Sequence, residues 1–278
     1  MSVSQQDQIK DTRIPGDQTG APEKRNAFTE LLSSKAKQPK TKHGRPAQGN
    51  VPKSSKASFP GRDGLGAYIA KPESYPPNVV VYHNEDFVAI HDLFPKSSLH
   101  LLLLPRDMNK THFHPFEAFE DADFLAKVKT ETDKLRTLAA GELRRKYGKE
   151  SAQEKTRSAA LNADPPPDTL PPGRDWEKEI MCGVHAVPSM GHLHVHVISV
   201  DRYSERLKHQ KHYNSFSTPF FVPLEAFPLD PDDERRHPSD QGYLKRPYIC
   251  WRCGRGFDNG FTALKRHLEQ EFEEWKRL

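Results

Sequence analysis

Residues 192–198 alternate strictly: His192, His194 and His196 interleave with Leu193, Val195 and Val197, and Ile198 follows. A period of two is the pattern of a β-strand whose faces differ. At about 3.3 Å of rise per residue, the imidazoles share one face about 6–7 Å apart, and the apolar side chains share the other. Such a strand needs a sheet with a core on one face and a polar site on the other. On the residues alone, three readings of that site stay open. Histidines on one face can hold zinc. They can be a surface accident. Or one imidazole can act as a nucleophile while its neighbours orient it and move protons.

The rest of the chain fits an α+β fold around that strand. Val79–His83 and Phe87–His91 read as strands joined by Asn84, Glu85 and Asp86, and Leu99–Leu104 reads as a third strand stopped by Pro105. Close spacing implies an antiparallel meander. From Pro115, the residues Phe116, Phe119, Leu125, Val128, Leu135 and Leu138 recur at roughly helical spacing, which predicts a single long helix to about Tyr147, weakened at Gly141. Residues 148–173, with a proline run from Pro165, read as a loop or insertion. Ile180–Val187 and Leu193–Val200 give a fourth and a fifth strand, so an antiparallel five-stranded sheet with flanking helices is expected. We place this domain at residues 63–228 and a small C-terminal module at 240–278.

Composition bears on location and partners. No run approaches the roughly 18 apolar residues of a membrane span, and Met1–Arg13 has no apolar core of a secretory signal. Three cysteines, two of them as Cys250 and Cys253, do not make a disulfide framework, which suits a reducing, intracellular compartment. Residues 1–62 hold 12 Lys/Arg against 5 Asp/Glu, a charge of +7. Their polar, Pro- and Gly-rich composition predicts a disordered basic tail, able either to contact nucleic acid non-specifically or simply to be solvated. Within it Ala27, Phe28, Leu31 and Leu32 would share a helical face, a candidate docking segment for a protein partner (Phe28–Leu32) or a chance cluster.

The heptapeptide 192–198 resembles the signature of the histidine-triad family at every position. The segment from Ile90 to Pro105 resembles that family's nucleotide-binding strands. Residues 185–199, Lys211–Phe216 and a finger after them resemble its aprataxin branch, in the shorter fungal-type form without a forkhead-associated domain. The resemblance implies that His194 is the nucleophile toward the α-phosphate of an adenylylated DNA 5′ end, with no metal at the triad. It implies that His192 and His196 bind the non-bridging oxygens and His185 assists the leaving group. Asp92 would accept from the ribose hydroxyls, Leu93 would line the adenine pocket, and Lys96, Ser189 and Met190 would meet phosphate. His100 takes either a structural or a catalytic role. Lys211, His212 and Ser215, a polar loop by sequence alone, match the segment that meets the DNA end. Nuclear localisation is implied, and guanylylated ends are a further substrate class. Two alternatives remain: a general triad hydrolase of small nucleotides such as AMP-lysine, and a DNA-binding adaptor with a vestigial triad.

Cys250 and Cys253 have metal-knuckle spacing, and His267 follows. A two-cysteine, two-histidine finger needs a second histidine three to five residues on, and none is there. Glu271 lies one helical turn beyond His267 on the same face, and carboxylate is a legitimate zinc ligand. A structural Zn2+ held by Cys250, Cys253, His267 and Glu271 is therefore expected, the alternative being water as the fourth ligand. Arg252 and Lys265 are candidate DNA phosphate contacts.

Overall fold

The computed structural model describes residues 61–278. The basic tail and the Phe28–Leu32 segment lie outside the described residues. The described residues include a short helix, α1 (Gly66–Ala70), followed by strands β1 (Val80–His83), β2 (Phe87–His91) and β3 (His100–Pro105). The β1–β2 turn is closed locally: Asn84 Oδ1 accepts from the amides of Asp86 (3.0 Å) and Phe87 (2.7 Å), a side chain standing in for a backbone turn.

The long helix expected from Pro115 is two helices. In α2 (Pro115–Ala118), His114 caps the amide of Phe116 and Pro115 takes the first turn. In α3 (Ala122–Tyr147), Asp121 caps the amide of Phe124, and Arg144, Arg145 and Lys146 sit in the last turn beside the negative end of the dipole. The side-chain cap at Asp121 restarts the helix, and Gly141 does not interrupt it. Residues 148–173 are likewise not all loop, because Ala152–Leu161 forms α4.

Next come β4 (Ile180–His185), β5 (Val195–Ser199), α5 (Gln210–Ser217) and β6 (Phe221–Pro223). The sheet is antiparallel with six strands, in the order β1-β2-β3-β5-β4-β6. The sixth strand comes from Val184 pairing with Val222 and His185 with Phe221. It is three residues long and ends in proline, too short to show a period. The chain then passes through α6 (Pro238–Gln241) into a two-stranded ribbon, β7 (Tyr248–Ile249) with β8 (Gly256–Asp258), and a final helix α7 (Phe261–Arg277).

Alternation along the strands divides the sheet into two faces. Leu101, Leu103, Val184, Val195 and Val197 pack with Leu135, Ala139 and Leu143 of α3 in the main core. Behind them Val88, Ile90, Leu102 and Leu104 are covered by Leu65, just before α1, and by Ile69 of α1, and Ile198 by Phe216 of α5. The triad face therefore lies between two covers, α1 and α5. The last helix serves two cores. Leu264 and Leu268 pack with Tyr248 and Cys250, whereas Phe272 and Trp275 belong to the main core.

Candidate active site and metal centre

β5 begins at Val195, so of the three alternating histidines only His196 lies in the strand, and His192 and His194 lie in the irregular lead-in. All three are nonetheless buried. The lead-in is fixed by backbone bonds, from the Leu193 amide to the Thr111 carbonyl (2.7 Å) and from the Gly191 amide to the Arg62 carbonyl (2.7 Å).

Each imidazole is held differently. His194 Nδ1 donates to the His192 carbonyl at 2.7 Å, which places the lone pair of the neutral ring on Nε2. His196 Nδ1 meets His100 Nε2 at 2.9 Å. The Lys96 amide, which can only donate, lies 3.3 Å from His100 Nδ1. That assigns His100 Nε2 as the donor to His196 and leaves the His196 proton on Nε2. His192 packs against the ring of His112 at 4.5 Å. His185, on β4, lies 4.4 Å from the ring of His196 and beside Phe216 and Phe220.

Three buried nitrogens of this cluster, His185 Nε2, His192 Nδ1 and His196 Nε2, have no hydrogen-bond partner among the described residues. Buried polar atoms are ordinarily satisfied, so these three nitrogens are open to water or a bound ligand. Burial pushes the pKa of His194 and His192 below the usual histidine value, and that of His185 and His196 well below it. For His194 the His192 carbonyl and Asp92 oppose that shift. The Lys96 charge adds to the depression at His100, His185, His196 and His212. The rings are therefore neutral near pH 7.

Of the other expected nucleotide contacts, Asp92 and Lys96 adjoin this cluster through His100. Asp92 Oδ1 accepts from the Phe94 amide at 2.7 Å, and its Oδ2 lies 3.4 Å from His100 Nδ1. Leu93 is exposed. Lys96 Nζ donates to the Phe94 carbonyl. Ser189 is exposed, and Met190 packs beside α1. Lys211, His212 and Ser215 lie on a helix, α5, and not in a loop. Lys211 is exposed, while the backbone carbonyl of Ser215 accepts a hydrogen bond from the His185 ring. Sequence reasoning missed Gly66, where a Cβ would come within 2.8 Å of His192 Nε2, and it missed His112. Neither carries a local signal, since both meet His192 only through the fold. A cavity of about 590 Å3 lined by Arg136, Met181, Cys182, Arg202 and Glu225 contains none of the histidines.

At the C-terminus, ligand atoms of Cys250, Cys253, His267 and Glu271 all lie within 4.8 Å of one another, positioned to bind a metal. Cys253 Sγ is 3.1 Å and Glu271 Oε1 3.0 Å from His267 Nε2. Two thiols, an imidazole and a carboxylate converging on one point are a zinc donor set. Arg252 Nη1 donates to Glu271 Oε2 (2.5 Å) and Glu274 Oε2 (2.8 Å). Lys265 lies half-buried on α7.

Comparison with known proteins agrees with both halves. Residues 73–203 match the HIT domain, and residues 217–274 match the C2HE / C2H2 / C2HC zinc-binding finger. The aprataxin-like protein of Schizosaccharomyces pombe is 35% identical over 259 residues, covering 90% of this chain and 94% of its own length. The chain belongs to the aprataxin family. A second aprataxin-like protein, from Saccharomyces cerevisiae, is 37% identical over 217 residues, covering 76% of this chain and 95% of its own length. The crystal structure of the aprataxin ortholog Hnt3 in complex with DNA superposes with a TM-score of 0.60 at 32% identity, over 77% of this chain and 96% of that one. Hnt3 in complex with DNA and guanosine gives a TM-score of 0.61 at 33% identity, over the same shares. No helix among the described residues is long and apolar enough to cross a membrane.

Proposed function

We propose that this chain is a nuclear DNA-repair hydrolase that removes AMP from adenylylated DNA 5′ ends left by abortive ligation. The observation that carries the reading is His194. Its Nδ1 is committed to the His192 carbonyl, its ring is neutral at working pH, and its strand neighbours present buried nitrogens with no other protein partner. The solved complexes of Hnt3 with DNA, one of them with guanosine as well, support a nucleic-acid substrate and extend the reading to guanylylated ends.

The chemistry is two displacements at one phosphorus. His194 Nε2 attacks the α-phosphorus and forms a P–N bond as the P–O bond to the DNA 5′-phosphate breaks. The DNA leaves with a ligatable 5′-phosphate, and the AMP stays on His194. Water then attacks the same phosphorus and gives a proton to His185 Nε2, from which it passes to solvent; the P–N bond breaks with its electron pair returning to His194 Nε2, and AMP departs. His196 Nε2–H donates to a non-bridging oxygen as charge develops, and His192 does so from the other side. His185, neutral through burial and with its N–H on the Ser215 carbonyl, offers the lone pair of Nε2 to the water that replaces the DNA; the departing phosphate is already a fair leaving group and needs little help. Asp92 takes the ribose hydroxyls, Leu93 takes the base, and Lys96, Ser189 and Met190 frame the phosphates. Lys211, His212 and Ser215 on α5, with Lys265 on α7, line the approach of the DNA.

At the finger, Cys250, Cys253, His267 and Glu271 would hold Zn2+. Four protein donors leave no open position, so the ion would stabilise the module and take no part in the reaction.

The test is AMP release from a 5′-adenylylated nicked duplex and from AMP-lysine, with native protein and His194→Ala. The reading requires release from the DNA that the substitution abolishes. Turnover of AMP-lysine alone would make the chain a small-nucleotide hydrolase, and no turnover of either would make it an adaptor.

A further inference from the structure

A basic residue between the cysteines of a finger invites assignment to DNA phosphate, but Arg252 faces inward. Its Nη1 lies 2.5 Å from Glu271 Oε2 and 2.8 Å from Glu274 Oε2. The Glu271 side chain is 7% exposed and that of Glu274 is 66% exposed, so the buried partner is the metal-site carboxylate. We propose that Arg252 is the outer-shell positioning residue of the zinc site, which turns Glu271 into a one-oxygen ligand and balances the charge of the centre.

Two observations meet here. The first is geometric. A carboxylate can offer a metal one oxygen or two, and here they are divided. Oε2 is taken by the guanidinium, and Oε1 turns to His267 Nε2 at 3.0 Å, on the side of the other donors. The i to i+4 spacing on α7 brings Glu271 to His267. Spacing alone does not choose which oxygen faces the site; Arg252 does, from the knuckle between Cys250 and Cys253.

The second is charge. Two thiolates and a carboxylate around Zn2+, with a neutral imidazole, leave one net negative charge on the centre. Cys250 and Glu271 are buried, where an uncompensated charge is costly. One guanidinium brings the sum to zero. Glutamate as fourth ligand, where the usual finger has a neutral histidine, thus creates the need that Arg252 meets. Residues that orient a ligand from outside the first sphere ordinarily change metal affinity about 10–100-fold when lost.

The inference rests on the finger being a zinc site, and the experiment separates the two. Zinc affinity of the full chain is measured by competition with a chromophoric chelator, for native protein, Arg252→Gln, Arg252→Lys, Glu274→Gln and Cys250→Ala. Cys250→Ala retaining native zinc affinity would refute the zinc site itself. Given its loss there, Arg252→Gln should bind zinc at least about tenfold more weakly. Glu274→Gln should stay close to native, because its contact is exposed. Arg252→Gln loaded with excess zinc should bind nicked duplex as native protein does. Native zinc affinity in Arg252→Gln would overturn the proposal, as would weakened DNA binding by that zinc-loaded variant. If Arg252→Gln does not fold, Arg252→Lys decides. It keeps the charge but not the planar fork, and a measurable loss of zinc affinity supports the proposal while a native value overturns it.

Discussion

His100 Nε2 lies 2.9 Å from His196 Nδ1. The third histidine of the alternating set is thus held from behind by the first residue of the neighbouring strand, and His100 is itself held by the Lys96 amide and faces Asp92. His100 therefore decides which nitrogen of His196 carries the proton, leaving it on Nε2. His100→Ala should lower kcat on adenylylated DNA by roughly a hundredfold, the scale of losing the alignment of a reacting group, with KM changed far less. Steady-state kinetics on variant protein with native near-ultraviolet circular dichroism checks this.

Gly66 presses on His192 from the α1 cover. A methyl group there would sit 2.8 Å from His192 Nε2 and 3.0 Å from its Cε1, so the ring must move. Gly66→Ala should slow turnover at least about tenfold, as expected when a phosphate-oxygen donor is displaced. Its urea midpoint should stay near native, because alanine suits a helix better than glycine. Comparing kcat with the unfolding midpoint of the same preparation tests whether the contact is catalytic.

Burial holds the pKa of His100 at about 4 and those of His185 and His196 well below the ordinary 6.5. Below pH 6.5 the unfolded chain takes up protons at these positions that the folded chain refuses. Stability from this source is full above about pH 6.5 and falls as the pH drops toward 4, by at most about 1.4 kcal/mol per pH unit for each histidine. Urea unfolding between pH 8 and pH 4.5 should show a decline that is steepest on the acid side, and His100→Ala should flatten it. A midpoint that rises with acid would contradict the neutral, buried cluster.

The finger helix is part of the main hydrophobic core. Trp275 is 1% exposed and donates to Glu179 Oε2 at 2.6 Å, and the Arg174 guanidinium lies 4.7 Å from its ring and 4.4 Å from that of Trp176. Trp275→Ala should cost about 3–5 kcal/mol. The loss should appear in one cooperative transition, with the triad's protection from amide exchange falling together with the finger's. Two separate transitions would mean that the finger is an independent module.

Much of this was legible in the chain because it is written locally. The alternation at 192–198, the paired runs before Pro105 and the pairing of His267 with Glu271 each use a period that a strand or helix imposes on neighbours. Other local signals are weaker than their surroundings. Ser151 caps the amide of Glu154 at the start of α4, a serine-x-x-glutamate signature overshadowed by the proline run after it. Asp121 restarts the long helix in the same way. Other features have no local trace. β6 exists only through its pairing with β4, and the His100–His196 bond joins residues far apart in sequence. Arg252 shows its inward direction only when α7 closes over the knuckle.

The most direct test of the central claim is to trap the intermediate. Native protein mixed in excess with duplex carrying a radiolabelled 5′-adenylate is quenched within the first turnover, digested and mapped. A labelled AMP bound through a P–N bond to the peptide containing His194, absent in His194→Ala, is the predicted result. AMP released at the native rate with no protein-bound label at any time, or label on a residue other than His194, would contradict it.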